Sequence, residues 1–408
     1  MNDYISEIDG GLCAVNNVEA SGARKGKYGV SIIVSKGSTA SGVFTSNKVT
    51  AASVKYTKKV LENEIVSAVV ANSGNANCFT GKQGFKDCES LVEFVSEKLD
   101  IDKKEIAIAS TGVIGRQMPM DIITDVAGES ISKLEHSPKS SHDCAEAIMT
   151  TDKIPKECAV EVTLESGEKV KIAGISKGSG MIAPNMGTML CFIVTDAVIS
   201  SEDINKSLKS AVNDSFNMIV VDGDESTNDT ALLMANGDSG VEVVKDNKIN
   251  DRFQEGLNYV CKYLAKIMAR DGEGATKFME AQVTGALTDE DARAAAKSII
   301  SSTLFKSALF GGDPNWGRIV SAVGYSGCEM NQDTITISLK NADKFIDLVK
   351  NGEILAFDDT VNLKVAEEIM LDKDIVILVD LALGDSSAVA WGCDLTYDYV
   401  KINAEYTT

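Results

Sequence analysis

Along its whole length the chain alternates between two hydrophobic periods, and that alternation restricts it to a layered α/β architecture. Short apolar runs ending in turn residues read as strands: GVSIIVS (29–35), SAVVANSG (67–74) and EIAIAST (105–111). In FKDCESLVEFVSEKL (85–99) the period changes, placing Cys88, Leu91, Phe94, Val95 and Leu99 on one helical face. CAVEVTLESGEKVKIAGIS (158–176) predicts a hairpin, two alternating runs around Glu165-Ser166-Gly167-Glu168. Residues 202–216 and 253–272 predict amphipathic helices, the second stopped by Gly272, and 291–311 predicts two helices in succession. A strand (333–340), a helix (360–371) and two more strands (374–383 and 387–396) follow. EHSPKSSHD (135–143) reads as a polar surface excursion. The pattern breaks at TGALTDEDA, which places a boundary between a main domain, 1–285, and a smaller α/β domain, 286–408.

Composition narrows the function. With 408 residues, 44% apolar and 25% charged, the chain is an ordinary globular one with room for two domains. A net charge of −20 disfavours nucleic acid and anionic membrane surfaces as partners. The opening MNDYISEIDGGLCAV lacks a basic segment followed by an apolar core, so no secretory leader is expected. No stretch approaches the ~18 apolar residues of a membrane span. Nine cysteines, odd in number and without a C-x-x-C pair, suit a reducing cytoplasm, each as a small buried apolar residue. Only two histidines occur, His136 and His142, both in the polar excursion, which argues against a histidine triad or a histidine metal site. No glycine-rich nucleotide loop is present, and neither cofactor nor metal is expected. DGDESTNDT (222–230) imitates a calcium loop, but Thr227 stands at the sixth position and Leu233 at the twelfth, where Gly and Glu are required. A hydrogen-bonded acidic turn is the better reading.

A chain poor in histidine can still activate a hydroxyl. If the peptide bond before a threonine is cut, the freed α-amine stands beside that hydroxyl and serves as its base, with a reference pKa of about 7.7–8.0. KGSGMIAPNMGTMLCFIVTDA (177–197) meets the local demands: a loose half with four residues of Gly or Pro, then Thr188, then an apolar strand. Gly187 lets the backbone bring the Thr188 hydroxyl toward the preceding carbonyl. STGVIG (110–115) follows a strand and offers Gly112 as a site of close backbone approach, suited to an oxyanion hole. Lys177 and Glu273, in RDGEGATKF, are tools for recognising a small charged substrate. Taken singly, each has an ordinary structural reading: a strand-entering threonine, a turn, a solvated lysine, a residue after a helix.

Taken together, NSGNANCFTG (72–81), STGVIG, TTDKIPK (150–156), KGSGMIAPNMGTMLCFIVTDA, SFNMIVVDGDESTNDT (215–230), RDGEGATKF, DPNWGRI (313–319) and AWGCDLTYDYVKINAEYTT (390–408) resemble the ornithine acetyltransferase family of arginine biosynthesis, also described as bifunctional glutamate N-acetyltransferases. The motifs occur in the expected order over nearly the whole chain. The resemblance implies a layered αββα sandwich-like core and self-cleavage between Gly187 and Thr188. It implies Thr111 and Gly112 as the oxyanion-hole pair, and Thr150, Lys177, Thr188, Glu273, Asn403 and Thr408 as substrate contacts, so that the tail returns to the active site. Ping-pong transfer of acetyl from N2-acetyl-L-ornithine to L-glutamate through acetyl-Thr188 is implied, as are a heterotetramer of two α and two β chains and a cytoplasmic location. Use of acetyl-CoA as a second donor, which would make the enzyme bifunctional, stays open, because members that use it carry no nucleotide motif. Gly187 departs from the alanine commoner at that position, and LALGDSSAVAWGCD lacks one glycine near Ser386-Ser387. The alternative is an N-terminal-nucleophile aminopeptidase or amidohydrolase of the same architecture, which hands the acyl group to water.

Overall fold

The computed structural model describes residues 2–183 and 189–405. They form two compact units, one from Met1–Gly178, Pro184–Asn217 and Glu225–Met268, the other from Ser179–Ala183, Met218–Asp224 and Ala269–Thr408. The first unit begins with β1 (Ile5–Glu7), β2 (Glu19–Lys25), β3 (Tyr28–Phe44), α1 (Ala52–Val60), β4 (Ile65–Ser73) and α2 (Gly81–Leu99). It continues through β5 (Ile106–Ser110), α3 (Met120–Ser132), α4 (Pro138–Ala147), β6 (Lys156–Thr163), β7 (Lys169–Lys177), β8 (Leu190–Thr195) and α5 (Ser201–Asn213). After β9 (Ile219–Val220), a strand of the second unit, come β10 (Thr230–Ala235), the small hairpin of β11 (Val244–Lys245) and β12 (Lys248–Ile249), and α6 (Asp251–Arg270).

The nine-stranded sheet of this unit runs β1-β6-β7-β8-β10-β3-β4-β5, with β2 also on β3. The 17-residue β3 serves two neighbourhoods: Tyr28–Val34 pairs with β2, and Thr39–Phe44 with β10. A register shift against β4 between Val34 and Ser38 separates them, a local bend of the kind that lets a sheet fold over on itself. Alternation then builds two cores. Ile33, Val69 and Ala107 join Ala159, Ala173 and Phe192 of β6–β8 in one, so the two halves of the sheet face each other. Ile32, Val70, Ile106 and Ile108 point the other way, onto Cys88, Leu91 and Val95 of α2 and Ile123 and Val126 of α3. Each of the Val, Leu, Ile and Phe side chains among them contributes about 1.5–3 kcal/mol on burial. On the far side α6 lies so close to the sheet that a Cβ on Gly256 would stand 2.4 Å from Val162. The order of layers is helix, sheet, sheet, helix.

The second unit carries β13 (Phe278–Ala286), α7 (Asp289–Ser301), α8 (Thr303–Gly311), α9 (Trp316–Gly324), β14 (Thr336–Lys340) and β15 (Phe345–Lys350). It ends with β16 (Glu353–Ile354), α10 (Val361–Met370), β17 (Asp374–Asp380), β18 (Ser386–Cys393) and α11 (Tyr397–Ala404). Its sheet runs β16-β15-β14-β17-β13-β18-β9, and the alanine-rich face of α7 packs on β13 and β18. The units part between Met268 and Ala269 rather than at the expected 285/286, because β13 pairs along most of its length with β17 and β18.

One expectation is refined. The polar 135–143 segment lies at the surface as expected but is not irregular: from Pro138 it is the first part of α4, with a capping box between Ser137 and Ser140 and with Ser140, Ser141, Cys144 and Ala147 buried. His136 Nδ1 is 2.7 Å from the Val18 carbonyl and His142 Nδ1 2.6 Å from Glu157, so both histidines are hydrogen-bonded near the surface. All nine cysteines are free and eight are buried, with the Cys88 and Cys144 thiols pushed by burial up to about 12. Among the described residues no helix is long and apolar enough to cross a membrane.

Candidate active site

Gly187, Thr188 and Thr408 lie outside the described residues. The other predicted site residues fall into two groups, one in each unit.

In the first unit the parallel strands β4 and β5 pair Asn72 with Ser110, so both chains turn at the same sheet end. The Thr111 N–H donates to the Asn72 carbonyl at 2.9 Å. Gly112 follows at φ +131°, where a Cβ would stand 2.4 Å from the Gly74 carbonyl carbon and 2.5 Å from the Asn75 nitrogen. Two backbone turns interlock there, and only glycine fits. Asn228 buttresses both turns, its Nδ2 donating to Ala76 O at 2.6 Å and Ser110 O at 2.8 Å.

Lys177 is the last residue of β7, paired across the ladder with Leu190, two residues beyond Thr188. Its Nζ donates to the hydroxyls of Thr111 at 3.0 Å and Thr150 at 2.9 Å, and the residue is only 8% exposed. Three of the predicted residues are thus brought together by one ammonium group.

Sequence reasoning missed what holds that ammonium. Asp152 Oδ1 accepts from Lys156 Nζ and from the Gly178 N–H, both at 2.7 Å, while Oδ2 accepts the Thr150 N–H at 3.1 Å. The Asp152 and Lys156 side chains are both fully buried. Burial alone would raise the Asp152 carboxyl, but Lys177 and Lys156 outweigh it, with help from the Lys156 and Gly178 hydrogen bonds, and hold it at about 2. Asp152 therefore ties the backbone of Thr150 to that of the residue after Lys177. Nothing in DKIPK announces burial; two charges four apart outside a helix usually face water.

Asp229 is the second residue missed. It is 3% exposed, and burial pushes its carboxyl well above the usual carboxylate range. Among the described residues, Asn72 Oδ1, Ser110 Oγ, Ser176 Oγ and Asp229 Oδ2 are buried side-chain atoms lacking a hydrogen-bond partner. Asn72, Ser110 and Ser176 adjoin Thr111 or Lys177 in register or sequence, and Lys177 acts on Asp229, so unsatisfied polarity gathers where reaction chemistry is expected.

In the second unit Glu273 is 6% exposed. Its N–H donates to the Ser179 carbonyl at 2.8 Å, and its Oε2 accepts from Asn403 Nδ2 at 2.8 Å. A Cβ on Gly180 would lie 2.3 Å from the Glu273 carboxyl carbon, so the 179–183 segment presses its backbone against that carboxylate. Asp222 accepts the N–H groups of Met181 at 2.6 Å and Ile182 at 2.9 Å, and burial raises its carboxyl. The acidic turn grips backbone amides. Among the described residues no group of three His, Cys, Asp or Glu side chains is placed to hold a metal ion.

A fixed ammonium, two hydroxyls bound to it and a strand-end glycine amide are donors suited to developing negative charge. The chain is similar to several known proteins. A family model described as the ArgJ family matches residues 15–408. A glutamate N-acetyltransferase of Methanothermobacter thermautotrophicus is 53% identical over 401 residues, covering 98% of each chain. Another, of Methanosarcina mazei, is 51% identical over 405 residues, covering 99% of this chain and 100% of its own. A crystal structure of the arginine biosynthesis bifunctional protein argJ from Bacillus halodurans is 44% identical, with a TM-score of 0.47, over 51% of this chain and 95% of that one.

Proposed function

Because the chain belongs to the ArgJ family, we propose that it is a glutamate N-acetyltransferase of arginine biosynthesis, moving the acetyl group of N2-acetyl-L-ornithine to L-glutamate. The observation that carries the site is the Lys177 ammonium held between the Thr111 and Thr150 hydroxyls beside Gly112. Self-cleavage between Gly187 and Thr188 gives an α chain, 1–187, and a β chain that begins with the nucleophile. The Thr188 hydroxyl, its proton taken by its own α-amine, attacks the acetyl carbonyl. Thr111 and Gly112 stabilise the tetrahedral oxyanion. Ornithine leaves with a proton on its nitrogen, and the acetyl group stays as an ester on Thr188. The unprotonated amine of glutamate then attacks that ester and departs as N-acetylglutamate, restoring the hydroxyl.

One pocket serves both amines in turn, because both substrates share an α-amino acid head. Lys177, Thr150, Asn403 and Thr408 are suited to that head. Glu273, a carboxylate, favours the cationic side chain of ornithine. Two α and two β chains assemble into a cytoplasmic heterotetramer.

Incubation with N2-acetyl-L-ornithine and L-glutamate tests the activity. Stoichiometric ornithine and N-acetylglutamate are expected. Acetate without N-acetylglutamate would make the chain an amidohydrolase and overturn the proposal. Replacing the donor by acetyl-CoA tests for a second donor in the same assay.

A further inference from the structure

The segment Ser226–Thr230 does more than complete an acidic turn: one of its side chains closes the frame around the strand-end glycine amide of the first unit. At that strand end the Thr111 N–H is taken by the Asn72 carbonyl at 2.9 Å, whereas the Gly112 N–H has no hydrogen-bond acceptor among the described residues. The backbone that carries it is held from both sides. Before it, the Ser110 carbonyl accepts from Asn228 Nδ2 at 2.8 Å. After it, the Val113 carbonyl accepts the Ala76 N–H at 3.0 Å, and the Ala76 carbonyl in turn accepts from the same Asn228 Nδ2 at 2.6 Å. Asn228, Ala76 and residues 110–113 all belong to the first unit. Resting on the reading of Gly112 as an oxyanion-hole donor, we propose that Asn228 is a positioning residue for acetyl transfer, its two amide hydrogens fixing the direction in which the Gly112 N–H points.

Asparagine suits that task. Its nitrogen carries two donor hydrogens, so one planar group serves two carbonyls that belong to different turns. The orientation of the amide is settled by its partners: both neighbours of Nδ2 are carbonyl oxygens, which only accept, while Oδ1 accepts from the Thr227 hydroxyl at 2.6 Å. The Asn228 backbone is tied as well. Its N–H donates to Ser226 Oγ at 3.1 Å, its carbonyl accepts from Thr230 Oγ1 at 3.1 Å, and the residue is buried. Thr230 opens β10, which is paired on both sides, with β3 and with β8. The side chain is therefore mounted beside the middle of the sheet and not on a free loop. Gly112, at φ +131°, has no side chain of its own to restrain it, so its neighbours set its direction. A donor stabilises an oxyanion only when aimed at the place where charge develops, and a displacement of about 1 Å can cost on the order of 100-fold in rate.

Asn228→Asp keeps the shape of the side chain and, when ionised, removes both donor hydrogens. Intact mass gives the cleaved fraction, to which kcat is referred. For acetyl transfer kcat is expected to fall about 10- to 100-fold, with KM for N2-acetyl-L-ornithine within about twofold of the wild type, because the displaced donor acts in the transition state. Gly112→Ala and the double variant separate aiming from general support. If Asn228 acts through the Gly112 amide, adding Asn228→Asp to Gly112→Ala lowers kcat by less than about threefold more. An Asn228→Asp enzyme with wild-type kcat, one that only raises KM, or a double variant in which the two losses multiply overturns the proposal. Should the aspartate variant not fold or not be cut, Asn228→Ser, which keeps a single donor hydrogen, goes through the same measurements and the same outcomes decide. A Gly112→Ala enzyme with wild-type kcat would refute the oxyanion reading of Gly112 instead.

Discussion

Replacing Lys156 by methionine asks whether the site stands on a buried ion pair. Lys156 Nζ lies 2.7 Å from Asp152 Oδ1, and both side chains are without solvent exposure. Methionine nearly fills the same volume, so the change removes charge and little packing. Deleting one member of a buried pair costs about 3–5 kcal/mol, because the other ion is left uncompensated. Lys177 also acts on Asp152, which places the expectation at the lower end, about 3 kcal/mol. For a unit of this size that lowers Tm by roughly 6–12 °C. Asp152 also holds the amides of Thr150 and Gly178, so kcat/KM should fall about 10- to 100-fold as Lys177 loses its alignment. Scanning calorimetry at pH 7 and initial rates of acetyl transfer measure both. Asp152→Asn strands Lys156 in turn, and the double variant should be less destabilised than the sum of the singles by at least about 1 kcal/mol. A Lys156→Met protein within about 0.5 kcal/mol of the wild type would show that the pair is not what supports the site.

Gly112→Ala forces a Cβ to within 2.4 Å of the Gly74 backbone at a positive φ, so the strand-end amide must move. A loss of about 100-fold or more in kcat is expected with unchanged far-ultraviolet circular dichroism, and wild-type turnover would remove Gly112 from the oxyanion hole. Asp152, held at about 2 against an ordinary 3.8, contributes stability that is full above pH 3.8 and lost as pH falls through 2. That contribution is about 2 kcal/mol. Urea midpoints between pH 5 and pH 2 should therefore fall further for the wild type than for Asp152→Asn, and equal slopes would contradict the linkage.

The strands at the centre of the first unit were legible because the first half of β3 and the whole of β4, β5 and β8 are buried almost without a break and read as largely apolar runs. α4 was not. It approaches β2 so closely that a Cβ on Gly22 would meet the Asp143 carbonyl at 1.9 Å, and its buried face is therefore built of Ser, Cys and Ala rather than large apolar residues. Hydrophobic periodicity has no purchase on such a helix; its signal was the Ser137-Pro138 start. β10, TALLMA, was hidden behind the acidic run that precedes it. The candidate site residues Thr111, Gly112, Thr150 and Lys177 could be named from motifs, whereas Asp152, Lys156 and Asp229 could not, since a sequence does not mark which charged residues are buried.

Intact mass under denaturing conditions, for the wild type and for Thr188→Ala, bears most directly on the whole account. Two polypeptides, 1–187 and 188–408, are predicted for the active wild type and a single inactive one for the variant. A fully active preparation uncut after Gly187, or a variant that turns over normally, would contradict it.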